Sequence, residues 1–486
     1  MKTISKRRFL FSILLALSLI TTIVGVAYAN SIQGPSSSQS PYIFRSVPGV
    51  VTKSIFTVGD SVNLKTDGVT PYRMVGIPDG LGAFNNGDGT FTLLMNHELG
   101  NTVGIVRDHG ANGAFVSKWI IRTDDLTVLN GQDLIQNVMV WNKNTYQFEP
   151  ATVAQKTFSR FCSADLAPVS AYYDASSGLG YNGHIFMNGE ESGTEGRAFA
   201  HLMDGNSYEL PWLGKFAWEN SLANPATGRY TLVAGTDDNS TGGQLYFYLG
   251  TKNNASNPVE AAGLTNGHLF GIKVDGLATE TDSTVLFGAV PFSAYNFGDV
   301  SSLTGAQLEA ASQGNITSFQ RPEDGAWDPK NPNDFYFVTT ASFTGKSRLW
   351  RLHFNDPANP ASGGTIEMLL DGNEGQKMMD NITITDREQI LIQEDPGNQA
   401  HNAKIWRYSI SRDTLTQQAG HDPERFIPGA PSFLTQDEES SGIIDVSDIL
   451  GEGWFLLDVQ AHYNIGDAEL VEGGQLLAMH IPPGRK

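Results

Sequence analysis

The stretch RPEDGAWDPKNPNDFYFVTT, residues 321–340, carries the pattern on which the fold prediction depends. It ends in an apolar run, DFYFVTT, that is typical of a buried β-strand. Ahead of this run stand Arg321 and Glu323, so charged side chains gather near the end of a strand. Pro322 and Gly325 would alternatively make the segment a solvated turn. The choice between the two interpretations depends on whether the pattern recurs.

The pattern does recur along the chain. Other short apolar strands also end in polar or acidic residues, namely TFTLLMNHELG (90–100), GHIFMNGEES (183–192), RYTLVAGTDD (229–238), EQILIQEDPGN (388–398) and GWFLLDVQAH (453–462). A second strand of a related kind follows most of them. These second strands are GGQLYFY (242–248), NGHLFGI (266–272), SRLWRL (347–352), AKIWRYS (403–409) and GGQLLAM (473–479).

Repeated strands without long amphipathic helices predict an all-β fold built from similar units. The chain has 486 residues, more than the roughly 250–300 that one core normally supports. A ring of blades solves this problem, because the core extends around the ring instead of thickening. About six units are present, so the sequence predicts a six-bladed β-propeller with a central metal-binding channel, as a single domain over residues 45–486. A two-domain β-sandwich protein is the alternative.

In a propeller the innermost strands converge on one mouth of the central channel, where acids far apart in the sequence meet. The acids at strand ends are Glu98, Glu190, Glu191, Asp237, Asp238, Glu323, Asp324, Glu394, Asp395 and Asp458. Gathering so many carboxylates is costly unless cations bind them. Oxygen-rich clusters select hard cations such as Ca²⁺ or Mg²⁺.

Residues 1–29 have the pattern of a signal peptide, with a basic KRR at 6–8, a long apolar segment and a small-residue cleavage site, AYA, at 27–29. The sequence therefore predicts an exported protein that is periplasmic, extracellular or on the cell surface. SKRRFLF fits the twin-arginine pattern loosely, so the export machinery is either the twin-arginine or the general secretory one. If the segment is not cut, it is long enough to anchor the chain in a membrane. Residues 30–44 are predicted to be a flexible tether.

Charge and cysteine content narrow the function classes. Cleavage after residue 29 removes four basic residues and no acid, so the net charge changes from −20 to −24. Such a surface repels nucleic-acid backbones, and we expect no nucleic-acid binding. Cys162 is the only cysteine, which excludes an internal disulfide. Its thiol would admit a transition metal to a carboxylate site; alternatively, it is a small buried apolar residue.

Arg321 and Glu323 are the candidate catalytic residues. Their spacing places both side chains on the same side of an extended segment. A guanidinium cannot bind a cation, so Arg321 either neutralises acids or binds phosphate oxygens with its forked donors. Cations that flank an anion held by an arginine suit phosphoryl transfer to water. Asp380, ahead of a short strand, and Glu219, after an aromatic residue, are further candidate cation ligands.

Together these stretches resemble the PhoX family of exported alkaline phosphatases. The matching segments are MNHE (95–98), the lone Cys162, NGEES (188–192), WEN (218–220), GTDD with GGQLYFY, RPEDG (321–325), DNI (380–382), QEDPGN (393–398) and the closing ESSG and DVQAH. They are spread over residues 95–462. RPEDG followed by QEDPGN is the most specific part of the match.

The resemblance implies a propeller whose central pocket holds calcium and iron (Fe³⁺) ions and hydrolyses phosphomonoesters. By match, the iron and calcium ligands are Glu98, Cys162, Glu219 and Glu323. Arg321 corresponds to the phosphate clamp. The further calcium ligands by match are Asp380, Glu394 and Asp395.

The sequence thus predicts a metal-dependent phosphatase that acts on small phosphate esters, and we expect it to be a monomer. Two other functions stay open at this stage. One is a different calcium-dependent propeller hydrolase of the lactonase kind. The other is a non-catalytic exported propeller that uses calcium for stability. A serine nucleophile is not indicated, because no G-x-S-x-G motif is present.

Overall fold

The computed structural model describes residues 31–483. The predicted signal peptide, residues 1–29, lies outside the described residues. Strands β1 to β5 come first in the described chain. They are β1 (Ser31–Gln33), β2 (Ile43–Arg45), β3 (Val51–Thr57), β4 (Ser61–Leu64) and β5 (Pro71–Arg73).

The remaining strands form six blades, in chain order. Blade 1 consists of β6 (Pro78–Asn85), β7 (Thr90–His97), β8 (Phe115–Arg122) and β9 (Val128–Asp133). Blade 2 consists of β10 (Asn137–Asn142), β11 (Gln147–Pro150), β12 (Phe161–Asp165), β15 (Ile185–Glu190), β16 (Ala198–Leu202) and β17 (Asn206–Glu209), with a small hairpin of β13 (Tyr173–Asp174) and β14 (Leu179–Gly180) beside it. Blade 3 consists of β18 (Trp218–Ala223), β19 (Tyr230–Asp237), β20 (Leu245–Thr251), β21 (His268–Val274) and β22 (Val290–Gly298).

Blades 4 to 6 complete the ring. Blade 4 consists of β23 (Pro322–Trp327), β24 (Asp334–Thr339), β25 (Arg348–Phe354) and β26 (Gly364–Leu370). Blade 5 consists of β27 (Met379–Ile384), β28 (Gln389–Glu394), β29 (Lys404–Ser409) and β30 (Thr414–His421). Blade 6 consists of β31 (Glu438–Asp445), β32 (Trp454–Asn464) and β33 (Glu472–His480). The six innermost strands, β6, β12, β18, β23, β27 and β31, contact one another in a closed circle. The predicted six-bladed β-propeller is confirmed.

Both ends of the described chain meet in blade 6. Strand β3 pairs antiparallel with β33, and β1 pairs in parallel with β3. Strand β2 adds an edge to blade 5 by pairing with β30. Part of the predicted flexible tether, residues 30–44, is therefore paired: residues 31–33 lie in β1 and residues 43–44 lie in β2, and Tyr42 and Ile43 are buried. These pairings cover strand edges, whose backbone groups need hydrogen-bond partners.

The core is distributed around the ring, as the length of the chain requires. Large aromatic side chains such as Trp119, Trp218 and Trp350 are fully buried within or between blades. Helices are short and lie between strands; they span Val153–Lys156, Pro258–Ala261, Gly305–Ser312, Pro423–Phe426 and Ser447–Leu450. Within residues 31–483, no helix has the length and apolar character that crossing a bilayer requires.

The innermost strand of every blade contains a shift in register against its neighbour. The shifts fall between Asp79 and Leu81, Phe161 and Ala164, Trp218 and Ser221, Pro322 and Gly325, Met379 and Ile382, and Ser441 and Ile444. A bulge of this kind bends the strand and re-aims the side chains on it. Repeated around the ring, it gives each blade one place where side chains turn toward the channel.

Candidate metal centre

One backbone hydrogen bond recurs in all six blades and identifies equivalent positions. An amide at the end of the second strand donates to the carbonyl of a residue just before the bulge. The pairs are Glu98 to Ile77, Glu191 to Arg160, Asp238 to Ala217, Thr340 to Arg321, Asp395 to Met378 and His462 to Asp437. The blades therefore present equivalent residues to the channel at equivalent places.

Two rings of side chains follow from this equivalence. The first ring comprises the residues two positions after each carbonyl, namely Asp79, Cys162, Glu219, Glu323, Asp380 and Glu439. The second ring comprises the amide donors themselves, Glu98, Glu191, Asp238, Thr340, Asp395 and His462. Nine of these twelve residues are acids and a tenth is the thiol.

The two rings form a continuous belt of possible cation ligands. Four groups have ligand atoms that all lie within 4.8 Å of one another. They are Asp79–Glu98–Cys162, Cys162–Glu191–Glu219, Glu219–Glu323–Asp380 and Asp380–Asp395–Glu439. Each group shares a member with the next, so the belt runs from blade 1 around to blade 6.

Neighbouring amides and hydroxyls hold the belt in place. Gln460 donates from Nε2 to three carboxylates, reaching Asp79 at 3.0 Å, Glu98 at 3.1 Å and Glu439 at 3.0 Å. Ser163 donates to Oε1 of Glu219. The other oxygen of Glu219, Oε2, is buried and accepts no hydrogen bond from residues 31–483. A buried carboxylate oxygen without a donor is an available metal ligand.

Burial raises the pKa of the carboxyl groups in the belt. It raises the pKa of Glu219 and of Asp395 to about 8. For Asp79, Glu323 and Asp380, burial first and then the negative charge of nearby acids raise the pKa well above the usual range. The acids cannot all be ionised side by side in such surroundings unless positive charge joins them.

Two arginines stand at the rim of the belt, at the same backbone position in blades 2 and 4. Arg321 donates from Nε and Nη2 to the two oxygens of Asp238, each at 2.7 Å, and its Nη2 lies 3.2 Å from Glu323. Arg160 donates to Glu191, and its Nη2 lies 2.7 Å from Glu98. Their backbones share a positive φ, 50° for Arg160 and 59° for Arg321. This conformation is unusual for residues other than glycine, and it sets the direction of the Cα–Cβ bond of each arginine.

The charge of the belt fits bound cations. Against its nine acids stand Arg160, Arg321 and His462. Burial lowers the pKa of His462, but contacts with Glu439 and Glu472 outweigh burial and raise it to about 11, so the imidazole is charged. An acidic excess remains. The oxygen ligands suit hard cations such as Ca²⁺, and the single thiol of Cys162 suits a transition metal.

The structure brings most of the predicted site residues together. Those that lie in the belt are Glu98, Cys162, Glu219, Glu323, Asp380 and Asp395, with Arg321 at its rim. Glu394 does not join them. Its carboxylate accepts hydrogen bonds from the amides of Lys377 and Lys404, from the indole of Trp406 and from His401. With its oxygens occupied in this way, Glu394 lies outside the four ligand groups, and its ligand role stays a prediction.

Several members of the belt were missed by the sequence-based prediction. Asp79, Glu439 and Arg160 were not recognised, while Glu191 and Asp238 were noted only as acids at strand ends. A signal for Asp79 was available, because PDG at 78–80 has the same proline, acid and glycine as PEDG in blade 4. Arg160 gave no signal of this kind.

Comparison with known proteins supports the fold. No protein-family model matches the chain, and no curated protein matches its sequence. Among solved structures, Sqt1 of Chaetomium thermophilum bound to the N-terminus of ribosomal protein L10 has a TM-score of only 0.37 at 7% identity, over 82% of this chain and 96% of that one. PhoX of Pseudomonas fluorescens, in complex with the transition-state analogue vanadate, has a TM-score of 0.65 at 11% identity. The similarity spans 93% of this chain and 97% of the PhoX chain, so the predicted resemblance to PhoX is confirmed at the level of the fold.

Proposed function

We propose that the protein is an exported metal-dependent phosphatase that hydrolyses phosphate esters at a calcium and iron cluster in the channel. The observation that carries the proposal is the belt of four overlapping ligand groups with Arg321 at its rim. The eight acids and one thiol of these four groups need cations to balance their charge, and a fixed guanidinium beside such cations favours an anion. The PhoX-like fold agrees with this combination.

The proposed metal ligands extend the predicted set. They are Asp79, Glu98, Cys162, Glu191, Glu219, Glu323, Asp380, Asp395 and Glu439. When bound, the cations would supply positive charge that neutralises the phosphate and stabilises the charge developing in the transition state. Hard oxygen ligands favour calcium for most of the belt. The thiol of Cys162 is the basis for placing iron in blade 2 or beside it.

Arg321 is the proposed phosphate-binding residue. Asp238 holds the guanidinium through Nε and Nη2, and among the described residues Nη1 donates to no acceptor. Its side chain is 30% exposed at the mouth. The free donors can therefore reach a phosphate oxygen while Asp238 and Glu323 keep the plane of the guanidinium fixed. Glu323 thereby acts as a positioning residue as well as a ligand.

The reaction is hydrolysis of a phosphoester bond. The oxygen of water forms a bond to phosphorus, the bond from phosphorus to the ester oxygen breaks, and the leaving alcohol takes up a proton. Arg321 orients the phosphate for attack and binds its oxygens more strongly as their charge increases. Export is proposed from the KRR and AYA segments of residues 1–29, and the protein would act as a monomer outside the cytoplasm.

The test is release of p-nitrophenol from p-nitrophenyl phosphate by protein supplied with Ca²⁺ and iron. Arg321→Ala is the obvious variant, but alanine tolerates the φ of 59° poorly. Arg321→Asn suits that backbone better and also removes the guanidinium. We expect either variant to lower kcat/KM about 100-fold or more. Arg351→Ala is the control, because Arg351 pairs with Glu367 on a different strand of blade 4.

Two results would overturn the proposal. One is no turnover by metal-loaded wild-type protein on any phosphate ester. The other is full activity of Arg321→Asn with an unchanged metal content. Bound calcium without iron or turnover would instead favour a propeller that uses calcium only for stability.

A further inference from the structure

Arg160 is a second guanidinium beside the belt, and the proposed reaction does not use it. It occupies in blade 2 the position that Arg321 occupies in blade 4, since both carbonyls accept the recurring backbone hydrogen bond, from Glu191 and Thr340 respectively. Both residues also have a positive φ. The fold therefore presents two equivalent guanidiniums at one mouth of the channel.

The two arginines are held in the same way. Arg160 uses Nε and Nη2 on Glu191, and Nη2 also contacts Glu98. Arg321 uses Nε and Nη2 on Asp238. For each guanidinium, no acceptor within residues 31–483 takes a hydrogen bond from Nη1. The Arg160 side chain is 49% exposed, so its free donors face solvent at the mouth.

The two guanidiniums lie on separate parts of the belt. Glu191 pairs with Arg160, and its ligand atom lies within 4.8 Å of that of Glu219. Glu219 in turn lies within 4.8 Å of Glu323, which pairs with Arg321. Three carboxylates thus stand between the two arginines, and cations held by them would neutralise the acids that now offset Arg160.

We propose that Arg160 binds a second anionic group of the substrate, so that the preferred ester carries a phosphate and another anion a few bonds away. This inference rests on the proposed function, in which Arg321 binds the reacting phosphate. Arg160 would recognise a carboxylate or a second phosphate through Nη1, while Glu191 and Glu98 keep the guanidinium in place. The residue would set substrate specificity and would take no part in breaking the bond.

A matched pair of ligands tests the proposal without relying on turnover. Glycerol 3-phosphate and 3-phosphoglycerate differ only in a hydroxymethyl group against a carboxylate. AMP and ADP differ by one phosphate. Because the metal-loaded protein is proposed to hydrolyse phosphate esters, each ligand is used as its phosphonate analogue, in which CH₂ replaces the ester or bridging oxygen. Calorimetric titration of the metal-loaded full chain measures the dissociation constant of each analogue. We expect the ligand with the second anion to bind about tenfold more tightly in at least one pair.

The variants assign this preference to a residue. Asparagine tolerates the φ of 50° at position 160. Arg160→Asn should therefore fold, and it should bring the ratio of dissociation constants within each pair to about one. Arg160→Lys keeps the charge but loses the fork, and it should keep part of the preference. Arg351→Ala is again the control. Calcium and iron are measured in every sample, because removal of a cation beside Glu98 and Glu191 should not reduce metal binding.

The outcomes separate this inference from the proposed function. A preference that survives in Arg160→Asn would overturn the assignment, and so would equal binding within both pairs by wild-type protein. If wild-type protein hydrolyses p-nitrophenyl phosphate yet shows no preference, only the role of Arg160 fails. If it hydrolyses nothing but prefers the second anion through Arg160, the phosphatase proposal fails and the binding assignment stands.

Discussion

The Sγ atom of Cys162 lies 3.3 Å from Oδ2 of Asp79, although the two residues are 83 positions apart in the chain. The bulges of blades 1 and 2 bring them together, because each turns one side chain of an innermost strand toward the channel. Burial, and then the charge of Asp79, raise the pKa of the thiol well above its usual range. Without a cation the sulfur is a neutral thiol beside an acid; with one it can be a ligand.

Cys162→Ser tests whether this sulfur holds the transition metal. Serine has nearly the same shape but a much harder oxygen, so we expect iron binding to weaken at least about tenfold while calcium stays bound. Elemental analysis of wild-type and variant protein gives both metals per chain. Cys162→Asp is the comparison variant, because aspartate supplies a hard anionic ligand, and we expect it to keep its calcium. An iron content in Cys162→Ser equal to that of the wild-type protein would show that the thiol is not a ligand.

Glu394 and Glu323 are expected to differ in their roles. The oxygens of Glu394 accept hydrogen bonds from the protein, whereas Glu323 belongs to the belt. Glu394→Gln disturbs hydrogen bonds from Lys404 and Trp406, so we expect a loss of stability of about 1–3 kcal/mol with metal content unchanged. Glu323→Gln should lower metal content and leave the apo protein folded. Thermal unfolding and elemental analysis of both variants check the contrast. If Glu394→Gln lost metal and Glu323→Gln did not, Glu394 would be the metal ligand and the prediction would be wrong.

The fold and much of the belt could be predicted because both depend on local sequence. Short apolar strands ending in acids are visible in the sequence, and a propeller brings such ends together whatever the loops do. Glu98 and Glu323 were found in this way, whereas Glu219 and Asp380 were singled out by their immediate neighbours in the sequence and by the resemblance to PhoX.

The sequence says less where register or long-range pairing decides which side chains face the channel. Glu394 and Asp395 are adjacent acids, and which one faces the channel depends on the bulge between Met379 and Ile382. A bulge changes the alternation of side chains and leaves little trace in the sequence. The pairing of residues 31–33 with β3 is equally hidden, because a polar segment gives no apolar pattern to predict a strand.

Arg348 and Glu280 form a fully buried ion pair away from the site, and we expect this pair to matter for stability. The Nη1 to Oε1 distance is 2.7 Å, and the side chains are 1% and 0% exposed. Arg348→Met leaves Glu280 buried without its partner, so we expect about 3–5 kcal/mol of destabilisation with metal content unchanged. Arg351→Met breaks a pair with Glu367 that is about one-third exposed, and it should cost at most about 1 kcal/mol. Urea unfolding of both variants measures the difference, and equal losses would refute it.

The raised pKa values of the belt predict opposite pH responses for metal-free and metal-loaded protein. Burial raises the pKa of Glu219 from 4.5 to about 8 and that of Asp395 from 3.8 to about 8. Because the folded state binds these protons more tightly, their contribution to stability is complete below about pH 4 and is lost as pH rises through about 8. The Tm of metal-free protein, measured by thermal unfolding in EDTA, should therefore fall as pH rises from 5 to 8, because this contribution to stability is lost.

Cations reverse this response, because they bind the ionised carboxylates and so compete with protons. Each saturated site should add about 2.7 kcal/mol when the free cation is at about 100 times its Kd. The gap in Tm between protein with Ca²⁺ and protein with EDTA should consequently widen as pH rises from 5 to 8. Asp380→Asn removes one ligand from two of the four groups, and it should narrow the gap at pH 8 while changing little at pH 5. A gap that is absent, or constant with pH, would show that the carboxylates of the channel bind no cation.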